Sequence, residues 1–241
     1  MDNDILPTLT KQTLVDDFIT HFEKMIISGK LAIGEKFPSE RDLAAKLGVS
    51  RPVVHEGLID LEVKGLVTRS SRGGAVVNDY RRDGSLIMLN SLLSYNNGTL
   101  DIQLAQSTIE FRQLVEVEFA RLAARNRTEE QLGEMRSILA EEESADVSDY
   151  ELITQIDFRF HHLIAMATDN IFYPLLLNSF KDLYLNGALL FFSDSSLTQQ
   201  VFDFHTQLVD SIAAHDEQAA IVVMQEMLKH GKDNYLKMVP T

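Results

Sequence analysis

Apolar residues recur at intervals of three and four over residues 11–27, where Leu14, Val15, Phe18, Ile19, Phe22, Met25 and Ile26 make one helical face. Gly29 and Gly34 end it. A second, short helix over 39–47 is predicted by Ser39, a capping residue that follows Pro38, and by Glu40 and Asp42 at the positive end of the helix dipole. Gly48 stops that helix, in a turn where a positive φ is expected. A third begins at Ser50, again a capping type, with Pro52 in the first turn, where a missing N–H costs nothing. Val53, Val54, Leu58 and Leu61 line one side of it as far as Gly65. Residues 66–69 and 75–77 are β-prone and flank Ser70-Ser71-Arg72-Gly73-Gly74, the signature of a hairpin.

After Asp79 the periodicity is helical throughout, predicting helices over 84–95, 100–125, 129–143, 150–168, 172–192, 197–214 and 217–238. The breaks carry turn chemistry, as in Asn96-Asn97-Gly98 and Asp169-Asn170, and Thr128 with Gln131 reads as a capping box. No internal repeat and no sustained heptad is present. The pattern therefore gives a small α/β-wing domain followed by an antiparallel helical bundle, with Tyr80 to Gly84 as the joint.

Composition narrows the chemistry. The 241 residues contain no cysteine, which excludes disulfide scaffolds, thiolate zinc sites and cysteine nucleophiles. Apolar runs such as Gly187 to Phe192 are too short to span a bilayer. The first ten residues have Asp2 and Asp4 and no basic cluster before an apolar stretch, unlike a signal peptide, so a soluble cytoplasmic protein without membrane partners is expected. The net charge of −14 argues against nucleic acid only when taken whole. Residues 1–80 hold 10 basic and 12 acidic side chains, and the remainder 12 and 24. The acidity sits in the last two thirds, which suggests two domains with different partners.

The two short helices joined at Leu47-Gly48-Val49-Ser50 make a helix-turn-helix, with Ala44 where the helices cross and Leu43, Leu47, Val49 and Val54 as its small core. The second helix of such a unit presents its N-terminal residues, here Ser50, Arg51, Pro52 and His55, to base edges in the DNA major groove. On that pattern alone, a helical hairpin without a DNA role stands beside the DNA reading. The longer string Phe37-Pro38-Ser39-Glu40-Arg41-Asp42-Leu43-Ala44, with Gly48-Val49-Ser50-Arg51, Leu58-Ile59-Asp60-Leu61 and Gly65-Leu66-Val67, closely resembles the winged-helix domain of GntR-type bacterial transcription regulators. The resemblance implies DNA contacts from Arg41 and Arg51, with Arg51 reading guanine bidentately and Ser50 holding phosphate. It also brings the wing residues Arg72 and Gly73 to the minor groove. The family usually has Arg where His55 stands and Ala where Gly57 stands, so the usual operator sequence is not expected. Arg69, beside the wing, reads as a phosphate contact or a solvated charge.

Five of the seven histidines follow residue 157. Asp157 and His161, four apart, share one face of a helix, and His205 and His230 fall on the two last helices. A carboxylate and several imidazoles converging in a bundle can hold Zn²⁺ or another borderline divalent ion, while an Asp–His pair one turn apart also reads as an ion pair. Ile109-Glu110-Phe111-Arg112, Asp157-Phe158-Arg159-Phe160-His161, Ala167 to Asn170, and His205 through Asp216 resemble the helical effector domain (FCD type) of the FadR subgroup of GntR regulators. In its metal-binding members an Asp, the His four later, and two His on the last two helices hold the ion. Asp157, His161 and His205 match. The last ligand is expected where Met227 stands, and His230 lies three residues on. The ligand set expected here is Asp157, His161, His205 and His230 around Zn²⁺, Ni²⁺ or Mn²⁺. A three-ligand site and a metal-free one are the alternatives. The same resemblance turns Arg112 to the cavity, to pair with an effector carboxylate; a salt bridge to Glu110 or Glu116 is the alternative.

The fold class expected is mainly α: a winged helix-turn-helix with a small β-wing over 9–79, a linker helix over 80–98, and an all-α antiparallel effector-binding and dimerisation bundle over 99–238. The function expected is a homodimeric, ligand-responsive regulator, not an enzyme, that binds palindromic operator DNA and a small carboxylate or acyl effector. The acyl alternative rests on residues 170–192, rich in Leu, Phe and Tyr, which also resemble the acyl-CoA-responsive member of the subgroup. A metal-dependent helical-bundle enzyme is one rival, although no nucleophile or acid–base pair is visible beyond the ligands. A helical interaction module with a degenerate reading head is the other.

Overall fold

The computed structural model describes residues 14–70, 74–95 and 102–239, and these form two compact units, one reaching to Tyr95 and the other beyond it. In the first unit, α1 (Leu14–Ile27) lays Phe18, Phe22 and Ile26 against α3 (Arg51–Val63), and α2 (Glu40–Leu47) crosses α3 through Leu43 and Ala44. Ser39 caps α2 by accepting from the Asp42 N–H, and Gly48 ends it at φ 67°. Of the residues expected in the turn's core, Leu43 and Val54 are buried and Val49 packs against them, but Leu47 is exposed. Strands β1 (Val67–Ser70) and β2 (Gly74–Val77) pair antiparallel, with Val67 opposite Val77, and bury Val67, Ala75 and Val77 on the same core.

Two glycines are fixed by their neighbours. Gly65 leaves α3 at φ 79°, and a Cβ there would lie 2.1 Å from the Asp83 carbonyl oxygen. At Gly57, in mid-helix, a Cβ would lie 2.2 Å from Cδ1 of the buried Phe18 ring, so the departure from alanine answers the phenylalanine above it. The stretch expected as a linker holds two elements. Asp79 caps α4 (Tyr80–Asp83), and α5 (Met88–Tyr95) buries Met88 and Ser91, the latter donating to Glu23 of α1 at 2.7 Å.

The second unit is all helix among the described residues: α6 (Ile102–Asn126), α7 (Glu129–Ser144), α8 (Tyr150–Met166), α9 (Phe172–Ser179), α10 (Lys181–Phe192), α11 (Thr198–Ala213) and α12 (Glu217–Met238), with a 3₁₀ turn at Ser195–Leu197. The capping box of Thr128 and Gln131 opens α7 as expected. The single helix expected over 172–192 is divided at Phe180, which leaves helical geometry at φ −121°, ψ 24° while its ring packs edge-on against Phe111. Helix α8 packs against α6, α7, α9 and α10. Its buried residues therefore face more than one side, and they include Asp157 and His161 beside Ile153, Ile156, Phe160 and Ile164. A central helix carries its polar side chains inside with it.

Candidate functional site

In the first unit the cap at Ser39 makes Glu40 the first helical residue of α2, facing α3 and only 6% exposed. Its carboxylate gathers three side chains. Oε1 lies 3.0 Å from His55 Nδ1 and 3.5 Å from Arg69 Nη2, and Oε2 accepts from Arg51 Nε at 3.4 Å. The His55 hydrogen bond holds the Glu40 carboxyl below its usual range, against burial, which would raise it. Arg51 nevertheless projects, with 70% of its side chain exposed, and Arg41 is exposed beside Asp42. Ser50 occupies the N-cap of α3 without making a side-chain cap bond. Arg69, a quarter exposed, pairs with Glu40 and Glu62, and its backbone N–H donates to Glu62 at 2.9 Å. Arg72 and Gly73, expected at the minor groove, lie outside the described residues.

In the second unit three donors converge. Asp157 and His161 come from α8, one turn apart, and His205 from the buried stripe of α11 that includes Val201, Phe202, Leu208 and Ile212. Asp157 Oδ1 lies 3.9 Å from His161 Nε2 and 3.7 Å from His205 Nε2, and one ligand atom from each residue falls within 4.8 Å of the others. Each imidazole is backed by a buried carboxylate on its other nitrogen. Glu142 of α7 is hydrogen-bonded to His205 Nδ1 at 2.6 Å, and Glu116 of α6 stands 2.5 Å from His161 Nδ1 without hydrogen-bond geometry. A carboxylate–histidine pair such as Glu142–His205 orients the ring so that Nε2 faces Asp157. The His205 ring stacks on Phe160 at 3.8 Å, which fixes its plane. His205 Nε2 is buried without a hydrogen-bond partner.

Arg112 faces the same cavity but is already engaged. Its Nε and Nη2 meet both oxygens of Glu116, at 2.5 and 3.3 Å, and Nη2 donates to the Tyr184 hydroxyl at 3.1 Å with the guanidinium over the ring. Tyr184 in turn donates to Asp157 Oδ2 at 2.6 Å. Burial alone would raise the Glu116 carboxyl; Arg112 and His161 outweigh it and hold it at about 2. Burial pushes the Tyr184 hydroxyl well up, so it stays a donor. The salt-bridge alternative for Arg112 is thus the one seen, although inside the unit rather than on a helix surface.

His230 does not join the cluster. Met227 and Gly231, one turn apart on α12, line the cavity, and His230, rotated off that face, sits 6.1 Å from the Phe191 ring and 5.9 Å from the Phe204 ring. His162 stacks beside Phe158, and His215 sits in a turn at φ 56° with Nδ1 2.6 Å from the Ala124 carbonyl oxygen. The cavity has a volume of about 90 Å³, and beyond its polar end it is walled by Leu183, Phe191, Phe192, Val201, Leu228 and Tyr235. Glu40 and Glu142 were not singled out by pattern. First-turn acids are read as dipole partners, and only the spacing of Glu142 with Leu132 and Met135 on the buried stripe of α7 marks it.

Comparison with known proteins gives two family matches: "Bacterial regulatory proteins, gntR family" over residues 16–77 and "FCD domain" over residues 107–230. The chain is 31% identical to the HTH-type transcriptional regulator Mce2R of Mycobacterium tuberculosis, covering 93% of this chain and 92% of that one. It is 29% identical to the Uxu operon transcriptional regulator of Escherichia coli, over 88% and 83% of the two chains. It is 26% identical to the fatty acid metabolism regulator protein of Shewanella pealeana, over 77% and 75%. These relatives are regulators, not enzymes. Among solved structures, that of Lar, which controls expression of the Listeria monocytogenes agr system, matches with a TM-score of 0.63 at 18% identity over 95% of this chain and 99% of that one.

Proposed function

The chain belongs to the gntR family of bacterial regulatory proteins and carries an FCD domain, and we propose how the parts of this ligand-responsive, DNA-binding transcription regulator divide the work. The reading head is the N-terminus of α3. Arg51 reads a guanine, Ser50 with its uncommitted hydroxyl holds phosphate, Arg41 adds a further DNA contact, and Arg72 and Gly73 of the wing approach the minor groove. A homodimer would set two such heads on a palindromic operator in the cytoplasm, and an effector bound in the helical unit would change their spacing.

The sensor cavity holds a divalent metal ion through Asp157, His161 and His205. The observation that carries this is the convergence of two imidazole Nε2 atoms on one Asp157 oxygen, with His205 held from behind by Glu142 and its Nε2 buried and unpartnered. Charge supports it: the buried carboxylates Asp157, Glu116 and Glu142 surround the two imidazoles, and Arg112, paired with Glu116, is the one guanidinium among them, an excess of two negative charges. Imidazole and carboxylate donors suit Zn²⁺, Ni²⁺ or Mn²⁺, and such a site keeps open positions for an effector oxygen. A volume of about 90 Å³ favours a compact carboxylate over a long acyl chain, since an apolar cavity of roughly 150 Å³ holds benzene.

Thermal unfolding tests the metal reading. Chelator-stripped protein should gain several degrees on adding one of the three ions, and His205→Ala should lose that gain. An unchanged midpoint with all three ions would contradict it.

A further inference from the structure

Most polar groups on the cavity wall are engaged. Thr108 donates to the Leu104 carbonyl, Arg112 is held by Glu116 and Tyr184, Tyr184 donates to Asp157, and His161 is backed by Glu116. Among the described residues the Tyr235 hydroxyl and the Lys232 ammonium make no hydrogen bond, and of the two only Lys232 is a cation. It lines the cavity from α12, between Leu228 and Tyr235 in sequence, is half-buried, and makes no hydrogen bond or ion pair among the described residues.

We infer that Lys232, rather than Arg112, is the cation that recognises the effector's anionic group, and that it selects a compact monoanion such as a short monocarboxylate. The charge count sets the valence. A divalent ion balances the two excess negative charges of the Asp157, Glu116, Glu142 and Arg112 network, which leaves the Lys232 ammonium as one uncompensated positive charge at the wall. One carboxylate neutralises it, while a dicarboxylate would bring a second negative charge against an apolar wall. The apolar lining and the volume of about 90 Å³ favour a remainder of a few carbon atoms. Arg112 has Nε and Nη2 committed to Glu116 and Tyr184, so it cannot offer an effector its two-pronged fork without giving up Glu116, which would leave that group buried beside His161, whereas Lys232 is uncommitted. This assignment rests on the metal reading above.

Calorimetric titration of the metal-loaded full chain with acetate, propanoate, butanoate, succinate and neutral propanamide tests it, with metal content measured on the same samples. Propanoate or butanoate should bind, succinate and propanamide should not, and Lys232→Gln should lose at least tenfold in affinity while keeping its metal. Lys232→Arg, which keeps the charge, should recover most of it. Unchanged affinity in Lys232→Gln, or no binding of any monocarboxylate to metal-loaded wild type, overturns the assignment and leaves the metal reading standing. Wild type that takes up no metal overturns both.

Discussion

Glu142 holds His205: its Oε1 lies 2.6 Å from the imidazole Nδ1, both side chains are buried, and they come from different helices, α7 and α11. If Nδ1–H is given to Glu142, the lone pair of Nε2 is left facing Asp157. Glu142→Gln keeps the shape and an acceptor but removes the charge. It should weaken metal binding by ~10–100-fold without unfolding the protein, measured by competition against a chromophoric chelator. Equal affinity in wild type and variant would make Glu142 a packing residue.

Arg112 and Glu116 are a buried pair on one helix, and breaking it should cost stability. Arg112→Gln and Glu116→Gln should each lower the unfolding free energy of the helical unit by about 3–5 kcal/mol in urea titrations, because each strands a charge. The double variant should lose less than the sum of the two. Strict additivity would show that the pair is not coupled.

The reading head predicts a division between base discrimination and general affinity. Arg51→Ala should relax discrimination at one base pair per half-site by ~1–3 kcal/mol in selections from random duplex DNA. Arg41→Ala should weaken binding to all sequences about equally. Glu40→Gln should behave like Arg51→Ala rather than Arg41→Ala, since the carboxylate orients Arg51 and His55. A uniform loss in Glu40→Gln would leave it a structural residue only.

The helix-turn-helix was legible because its punctuation is local: Ser39 caps, Gly48 turns and Pro52 starts a helix within fourteen residues. Asp157 and His161 were legible for the same reason, being one turn apart on one helix. The carboxylates behind the imidazoles were not. Glu116 and Glu142 come to the site from α6 and α7, and an isolated Glu in a helix reads as surface until the packing is known. His230 misled because three residues on a helix are close along the axis yet rotated in azimuth, which puts Met227 on the cavity and His230 off it. The break at Phe180 carries no glycine or proline to announce it; Pro174 lies inside α9.

Gly57 and Phe18 give a test of packing that pattern alone would have reversed. Alanine in mid-helix is ordinarily favoured over glycine by ~1 kcal/mol. Here the added methyl meets the Phe18 ring, so Gly57→Ala should destabilise the first unit, by about 1–2 kcal/mol net. Adding Phe18→Leu should recover part of the loss, and chemical denaturation of the three variants would show it. A more stable Gly57→Ala would mean that the ring moves aside freely.

The central claim, that a divalent ion is held by three side chains and not by His230, is tested most directly by elemental analysis of untagged protein purified without chelator. About one ion per chain is expected in wild type and in His230→Ala, and none in His161→Ala. Wild type that stays free of Zn, Ni and Mn after supplementation, or His230→Ala that loses its ion as His161→Ala does, would contradict the account.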